Sequence, residues 1–269
     1  MKIGIFDSGI GGVSVLNEAY HYIPEAEYIF YADVDHVPYG IRTPEEITGY
    51  VDEIVDNLIG RGSDVIVIAC NTATSVAASF VRSKYELPII GIEPAVKPAV
   101  ETAMKTKERV LVMATPVTIR ENKLKTLLSR VDKTHVVDLL PMPGLVRFAE
   151  AEKFDDPEVD AYIEEQLAVY NKSVYSEVVL GCTHFNYFKP AIAEAFGSTG
   201  KEVELVDGNE GTVRHLAELL QIDAEFDPDI DIEDFSNRTI YLQSGREAGE
   251  ADRQKYIRLH RRLEMIRNY

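Results

Sequence analysis

The sequence predicts an α/β fold made of two similar domains, each with a largely parallel sheet flanked by helices. Short apolar runs rich in β-branched residues alternate with stretches of helical periodicity along the chain. Most of these runs are continuously apolar, which is typical of strands that are covered on both faces. A pattern of strand and polar loop also occurs twice, and the 269 residues are enough for two domains of ordinary size.

Eight runs are predicted to be strands because each is a short apolar segment between polar residues. They span residues 2–6, 27–32, 64–69, 87–92, 109–114, 135–140, 177–181 and 202–207. The clearest helix is predicted to follow Thr43, which is a suitable N-cap, with Pro44 at the first helical position and Glu46 completing a capping box. Its predicted apolar face comprises Ile47, Val51, Ile54, Val55 and Leu58.

Two segments near the carboxyl end differ in character. Residues 223–235 are heavily acidic and are predicted to form a solvated loop or edge. Farther on, Tyr256, Leu259, Leu263 and Ile266 recur at helical spacing. We therefore predict a surface helix in the basic tail rather than a patch that binds nucleic acid.

Internal similarity divides the chain. "DVIVIACNTATS" (64–75) and "SEVVLGCTHFN" (176–186) share an acidic residue, an apolar strand, a small residue and a cysteine. "KIGIFDSG" (2–9) and "RVLVMATPVT" (109–118) share a basic residue, a strand and a hydroxyl-bearing loop. The offsets between the matching positions are similar, at 112 and 107 residues. A duplication is predicted, with one domain at 1–97 plus 207–269 and the other at 98–206.

The composition limits the partners of the protein. The formal net charge of −17 disfavours nucleic acid and anionic membranes. A small anionic ligand would need local N–H donors, such as those at helix N-termini, to offset this charge. The amino end does not resemble a secretory signal, and the apolar runs are too short to span a bilayer. We therefore expect a cytoplasmic protein that binds neither nucleic acid nor membrane.

The chain has two cysteines, Cys70 and Cys182. A disulfide is not expected in a reducing compartment, and the ligand spacings of a zinc site are absent, so no metal site is predicted. A lone cysteine is most often an inert buried residue. These two, however, follow equivalent strands of the repeat. If the two domains face each other, the thiols face each other across a cleft, where the active site is then expected.

Five polar clusters are predicted at or near the carboxyl ends of strands, where ligands of α/β sheets bind. They are Asp7 and Ser8 in "DSGIGG", Tyr39 and Gly40 in "VPYG", Cys70, Asn71 and Thr72 in "ACNTATS", Thr115 and Thr118 in "ATPVT", and Cys182, Thr183 and His184 in "GCTHF".

Each cluster also has a purely structural interpretation. "DSGIGG" matches neither phosphate-loop pattern and suits a tight turn, and Pro38 with Gly40 suits another turn. Thr115 suits a helix cap before Pro116. His184 alone would more often be an ordinary buried histidine.

Two opposed thiols without an obvious cofactor site suggest racemisation of an amino acid. Inverting Cα requires removal of a proton from one face and delivery of a proton to the other. Two groups, one thiolate and one thiol, can do this and exchange roles with direction. Asp7 or His184 could assist, because a thiol needs a neighbouring base or cation to ionise near neutral pH. Neutral donors such as Asn71 and Thr183 suit the substrate's charged groups.

Taken in order, "GIFDSGIGGVSVL", "VPYG", "ACNTAT", "GIEPAVKPA", "ATPVT" and "LGCTHF" resemble the glutamate racemases, a family of the cofactor-independent aspartate/glutamate racemase superfamily. The resemblance extends to about residue 210. It implies that Cys70 acts on the D-enantiomer and Cys182 on the L-enantiomer. It also implies auxiliary acid/base roles for Asp7, His184 and Glu150, although Glu152 is an alternative to Glu150.

The resemblance further implies the oligomeric state of the protein, its compartment and its contacts with the substrate. It predicts a homodimer of the bacterial cytoplasm that needs no cofactor and supplies D-glutamate for peptidoglycan. The substrate contacts that it implies are Asp7, Ser8, Tyr39, Gly40, Asn71, Thr72, Thr115, Thr118, Thr183 and His184.

Other functions stay open from the sequence. An aspartate racemase, or a decarboxylase or isomerase of the superfamily, would use a similar site, although a decarboxylase could manage with one cysteine. A thiol redox or metal-binding protein is disfavoured because C-x-x-C is absent and the cysteines are 112 residues apart. A protein that only binds amino acids would not need the paired thiols.

Overall fold

Two sheets built mainly from parallel strands organise the chain. The structure is a computed structural model and describes residues 1–197, 200 and 202–269. The strands are β1 (Lys2–Asp7), β2 (Glu27–Ala32), β3 (Val65–Ile68), β4 (Ile89–Gly91), β5 (Arg109–Ala114), β6 (Val137–Pro141), β7 (Tyr175–Gly181), β8 (Glu204–Asp207), β9 (Ile240–Gln243) and β10 (Arg246–Glu247).

Helices connect the strands and cover the sheets. They are α1 (Val13–Tyr22), α2 (Pro44–Gly60), α3 (Asn71–Lys84), α4 (Val96–Thr106), α5 (Pro116–Arg120), α6 (Asn122–Val131), α7 (Pro143–Glu150), α8 (Pro157–Leu167), α9 (Lys189–Gly197), α10 (Asn209–Leu219), α11 (Ile232–Arg238) and α12 (Glu250–Met265). Short 3-10 turns lie at 10–12, 39–41, 172–174 and 183–188.

The order of the strands confirms the predicted similarity of the two halves. The first sheet has the order β10-β9-β2-β1-β3-β4, and the second has the order β6-β5-β7-β8. The four-strand unit β2-β1-β3-β4 therefore recurs as β6-β5-β7-β8, with every pair in both units parallel. In this arrangement β1 corresponds to β5 and β3 to β7, as the two sequence offsets predict. The α/β fold with two similar, largely parallel sheets is confirmed.

The eight predicted strands are all present, and burial on both faces explains their composition. Val65 and Val67 of β3 belong to one hydrophobic core, while Ile66 and Ile68 belong to another on the opposite face. All four side chains are buried. Successive residues of a strand point to opposite faces, so both faces of β3 must be apolar, and alternation with polar residues is lost.

The helix predicted after Thr43 is confirmed together with its cap. The Glu46 N–H donates to Thr43 Oγ1 at 3.2 Å, and the Thr43 N–H donates to Glu46 Oε2 at 2.8 Å. Pro44 occupies the first helical position, and the five predicted apolar residues are all buried.

The carboxyl-terminal segment differs in part from the prediction. Residues 232–235 of the acidic stretch form the start of helix α11, so the predicted loop is wrong there. Asp231 caps this helix by accepting from the N–H groups of Glu233 and Asp234, since acidic side chains are favourable at a helix N-terminus. Strands β9 and β10 were not predicted. Helix α12 is confirmed, and its apolar stripe is buried against the core.

Among the residues that the structure describes, no helix combines the length and the apolar character needed to cross a membrane.

The cap of α2 provides a test of the fold. We expect Thr43→Ala to lower the free energy of unfolding by about 1 kcal/mol, because it leaves N-terminal N–H groups without a partner. Urea denaturation followed by circular dichroism measures the change. Thr48→Ala is the matched control, since Thr48 is half-buried and its hydroxyl bonds back to the carbonyl of Pro44 within the same helix. Equal stability of Thr43→Ala and the control would contradict the assignment.

Candidate active site

The ends of four parallel strands supply the core of the site. Asp7 ends β1, and Cys70 follows β3 by two residues in the first half. Thr115 follows β5, and Cys182 follows β7 in the second half. Parallel strands present their carboxyl ends along one edge of a sheet, so each half delivers two of these residues to the same place. All four side chains are buried.

Asp7 joins the two halves. Its Oδ2 accepts a hydrogen bond from the Thr183 hydroxyl at 2.8 Å, across 176 positions of sequence. Its Oδ1 accepts from the N–H and the hydroxyl of Ser8, at 2.6 and 3.2 Å. The carboxylate is completely buried, so these three donors replace the water that it loses. The loop after β1 is therefore fixed directly to the loop after β7.

Cys70 is held at the start of helix α3. Its sulfur accepts a hydrogen bond from the N–H of Ala73 at 3.4 Å and is therefore the N-cap of the helix. The thiol also lies 3.8 Å from the Ser8 hydroxyl. Beside it, Asn71 Oδ1 is buried and has no hydrogen-bond partner among the described residues. The loop thus presents a thiol and an unpaired amide oxygen together.

Cys182 begins a chain of polar contacts. Its sulfur lies 3.7 Å from His184 Nδ1, and His184 Nε2 lies 2.7 Å from Glu150 Oε1. The same Glu150 oxygen accepts a hydrogen bond at 2.8 Å from the N–H of Ile10, which lies in the loop after β1. The imidazole is thereby oriented from both of its nitrogen atoms. His184 is thus a neighbour of the thiol and not an isolated core histidine.

Glu150 and Glu152, the two candidates for the auxiliary carboxylate, have different partners in the structure. Glu150 ends helix α7 and points to His184. Glu152, in a left-handed conformation just beyond the helix, forms ion pairs with Lys255 and Arg258. Its partners are thus two cations of helix α12 rather than His184.

Three threonine hydroxyls form a cluster between the halves. Thr72 Oγ1 lies 2.9 Å from Thr115 Oγ1 and 3.2 Å from Thr118 Oγ1, while the last two are 2.9 Å apart. Thr115 is also the N-cap of helix α5, with Pro116 at the first position. Both interpretations of Thr115 are therefore satisfied by one side chain, which caps a helix and faces the first half.

Tyr39 and Gly40 reach the same region in different ways. Gly40 lies against Thr115, since a Cβ atom on this glycine would be 3.0 Å from the Cβ of Thr115. The Tyr39 hydroxyl donates to Asp33 Oδ2 at 2.6 Å and is buried. Binding of a ligand by the phenol is therefore not favoured, which leaves the backbone of this turn as the donor.

Gly11 is required by the close approach of the two halves. A Cβ atom at this position would lie 2.4 Å from His184 Nδ1, 2.5 Å from Thr183 Oγ1 and 2.8 Å from Asp7 Oδ2. A side chain here would displace the imidazole or the carboxylate. The glycine in "DSGIGG" therefore serves close packing between loops and not the cradling of a phosphate.

Comparison with known proteins agrees with this geometry. A model of the Asp/Glu/hydantoin racemase family matches residues 13–216. A glutamate racemase from Lachnospira eligens is 49% identical over 267 residues, which is 99% of this chain and 99% of that protein. The chain belongs to the Asp/Glu/hydantoin racemase family.

Solved structures of this family have the same fold. A glutamate racemase from Escherichia coli, in complex with L-glutamate and the activator UDP-MurNAc-Ala, has a TM-score of 0.73 and 27% identity over 92% of this chain and 99% of that one. A glutamate racemase from Campylobacter jejuni has a TM-score of 0.75 at 24% identity, over 96% and 97% of the two chains, which supports the fold alone. The protein is thus an amino-acid racemase.

The two thiols of this racemase lie in opposite electrostatic surroundings. Burial raises the pKa of Cys70 well above its ordinary value, and the negative charge of Asp7 raises it further. Burial also raises the pKa of Asp7, against the lowering effects of His184 and of its hydrogen-bond donors. Cys70 is therefore held in the protonated form. The Cys182 sulfur also contributes to the raised pKa of Cys70.

Around Cys182, by contrast, the structure favours a positive charge on His184. Burial alone would lower the pKa of His184, but the Cys182 sulfur and the Glu150 carboxylate raise it well above the ordinary value. Burial likewise opposes the charge on Glu150, but the hydrogen bond and charge of His184 and the N–H of Ile10 lower the pKa of Glu150. The pair is therefore held as imidazolium and carboxylate, next to the Cys182 sulfur.

Asp33 is a residue of this region that the sequence analysis missed. It directly follows strand β2 and is buried, and its N–H donates to the carbonyl of Asp7, the last residue of β1, at 3.0 Å. The signal that identified Asp7, a carboxylate at a strand end, was available for Asp33 as well. What it binds depends on contacts distant in sequence, which local patterns do not reveal.

Replacing Glu150 tests the electrostatics of this racemase. We expect Glu150→Gln to lower the pKa of His184, because it removes the anion that stabilises the imidazolium. Titration of ¹⁵N-labelled histidine by NMR measures the change. Glu152→Gln is the matched control and should leave that pKa unchanged. An unaltered His184 in Glu150→Gln, or equal shifts in both variants, would contradict the assignment.

Proposed function

We propose that the protein interconverts L-glutamate and D-glutamate without a cofactor, using Cys70 and Cys182 on opposite faces of the substrate. The observation that supports this most is the pair of thiols at equivalent strand ends of two similar halves. Each thiol has its own assisting groups, Asp7 for Cys70, and His184 with Glu150 for Cys182. The similarity to glutamate racemases over nearly the whole chain supports glutamate as the substrate.

The surroundings of the thiols suggest how each is used. The imidazolium of His184 lies beside the Cys182 sulfur, where a cation would stabilise the thiolate that forms during the reaction. Cys70 stays a thiol because burial and the Asp7 carboxylate disfavour its anion. In the direction from L-glutamate, Cys182 is proposed as the base and Cys70 as the acid, since the family resemblance assigns Cys182 to the L-enantiomer.

The reaction balances with these two groups alone. The Cys182 thiolate takes the proton from Cα, and the electron pair of the C–H bond remains on the substrate. The Cys70 thiol then donates its proton to the opposite face, which forms D-glutamate and leaves Cys70 as thiolate. The reverse direction exchanges the roles. Proton exchange with solvent restores the starting state, and Asp7 and His184 are the groups placed to relay those protons.

Polar groups around the thiols are proposed to hold the two carboxylates and the ammonium group. Asn71 is the strongest candidate because its buried Oδ1 has no partner among the described residues and suits the ammonium group. The other proposed contacts are Asp7, Ser8, Tyr39 and Gly40 through their backbone, Thr72, Thr115, Thr118, Thr183 and His184.

The wider role is also a proposal. The resemblance supports a cytoplasmic enzyme that supplies D-glutamate for peptidoglycan. The division into domains at 1–97 plus 207–269 and at 98–206 is proposed because the two sheets draw their strands from these ranges, with β8 ending at Asp207.

Activity on enantiopure substrates tests the proposal. Either enantiomer of glutamate, incubated with the protein alone, should approach a racemic mixture, as followed by polarimetry or circular dichroism. Aspartate should react more slowly at equal concentration. Faster turnover of aspartate would favour the alternative of an aspartate racemase. No loss of optical activity with either amino acid would contradict both.

Substitution of the thiols tests the mechanism. We expect Cys70→Ala and Cys182→Ala each to lower the rate of racemisation by about 10²-fold or more, because each direction needs both an acid and a base. Glu152→Gln is the control and should keep wild-type activity, since Glu152 lies on the surface. Substantial activity in either cysteine variant, with the fold intact by circular dichroism, would exclude the two-thiol scheme.

The oligomeric state is tested separately. A homodimer is proposed, and light scattering after size exclusion should give twice the chain mass of 30.2 kDa at micromolar concentration. A mass of 30.2 kDa across the accessible concentrations would contradict the dimer and leave the chemistry unaffected.

A further inference from the structure

The loop at 33–41 joins strand β2 to the turn of Tyr39 and Gly40, and one buried carboxylate organises it. The side chain of Asp33 is almost fully buried. It accepts from the Tyr39 hydroxyl at 2.6 Å, from His36 Nδ1 at 2.9 Å and from the Ser244 hydroxyl at 2.9 Å. Two of these donors belong to the loop itself, and the third comes from a distant turn. They offset the cost of burying the carboxylate.

The distant turn connects β9 to β10 and holds the loop from outside. The Ser244 Oγ accepts from the N–H of Asp35 at 3.0 Å, while the Ser244 N–H donates to the carbonyl of Ala32 at 2.9 Å. Arg246 forms a two-pronged ion pair with Asp35, with both distances at 2.9 Å. With the Ser244 hydroxyl on Asp33, the β9–β10 turn is therefore attached to the loop by three contacts and to the end of β2 by one.

The backbone of Ser244 is unusual for a serine. Its φ angle is +44°, in the left-handed region that glycine and asparagine tolerate best, and Gly245 follows with φ +82°. A two-residue hairpin turn of this kind favours asparagine or glycine at its first position. Serine is therefore retained at a conformational cost, and its hydroxyl is the one group of the turn that bridges Asp33 and Asp35.

We propose that Asp33 and Ser244 are positioning residues, which hold the 33–41 loop so that Gly40, next to the anchored Tyr39, stays against Thr115 at the substrate site. This inference rests on the proposed function, because it assigns the loop a role in binding glutamate. Neither residue touches the thiols in the contacts described above. Loosening the loop should therefore weaken substrate binding more than it slows the chemical step.

Ser244→Gly separates positioning from stability. Glycine relieves the left-handed backbone, so the folded state should be as stable as the wild type or more so. Loss of the hydroxyl removes the bridge to Asp33, so KM for both glutamate enantiomers should rise by about tenfold, the size expected for one hydrogen bond to a charged group. The value of kcat should change by less than about twofold. A purely structural serine would leave KM unchanged.

Lys107→Gly is the matched control. Lys107 also has a left-handed φ of +61° and is exposed at the end of helix α4, away from the loop. Like Ser244→Gly, this variant should be as stable as the wild type or more so, because glycine relieves the left-handed backbone. Its KM should be that of the wild type. A rise in KM equal to that of Ser244→Gly would overturn the proposal.

Hydrogen–deuterium exchange gives a readout that does not depend on activity. In Ser244→Gly the amides of residues 34–41 should exchange faster than in the wild type and in Lys107→Gly, while those of strand β1 should not. If Ser244→Gly does not fold, Asp33→Asn is tested in its place, and the same rise in KM and the same faster exchange of the loop amides are expected. Unchanged exchange in the loop overturns the inference, even if the wild type proves inactive on glutamate. Inactivity of the wild type with faster exchange in the variant overturns the proposed function alone.

Discussion

Parallel pairing within each sheet is the constraint on which the whole site depends. Because β1 and β3 run parallel, Asp7 and Cys70 lie at the same edge of the first sheet. The parallel strands β5 and β7 likewise place Thr115 and Cys182 at one edge of the second sheet. The two edges meet, and a hydrogen bond from the Thr183 hydroxyl to the Asp7 carboxylate connects them. Glycine at position 11 allows that approach, since any side chain there would collide with the imidazole or the carboxylate. The strands themselves stay apolar and buried, so the polar chemistry is confined to the loops that follow them.

The two halves are similar in topology but opposite in charge at their thiols. Cys70 lies near the carboxylate of Asp7, which disfavours a thiolate. Cys182 lies beside the imidazole of His184, whose own partner is the Glu150 carboxylate. Two halves of similar topology thus place the thiols at equivalent strand ends, while the side chains after each strand give them different neighbours. The proposed reaction needs both features, because an acid and a base must lie on opposite faces of Cα.

Local patterns predict much of this structure, and long-range contacts explain what they miss. The strands, the cap at Thr43 and the duplication follow from composition, spacing and offsets, which are local or repeated signals. The prediction of a loop for the acidic stretch is wrong at its end because Asp231 caps a helix. The acidic residues that follow it are typical of a solvated loop, but here they form the first turn of α11. The contact of Glu150 with His184 and Ile10 depends on how the two halves pack, so the sequence leaves Glu152 open as an alternative. Asp33 is missed for the same reason, since its partner Ser244 is 211 positions away.

The central claim is that two different groups handle the two faces of the substrate. It is tested most directly by incubating L-glutamate with the protein in deuterium oxide and analysing both enantiomers at early times by chiral separation and mass spectrometry. The account predicts that newly formed D-glutamate contains deuterium at Cα, because its proton comes from the exchangeable Cys70 thiol, while the remaining L-glutamate stays protonated. D-glutamate that retains the original proton, or L-glutamate that gains deuterium as fast as racemisation proceeds, would show that one group serves both faces and would contradict the account.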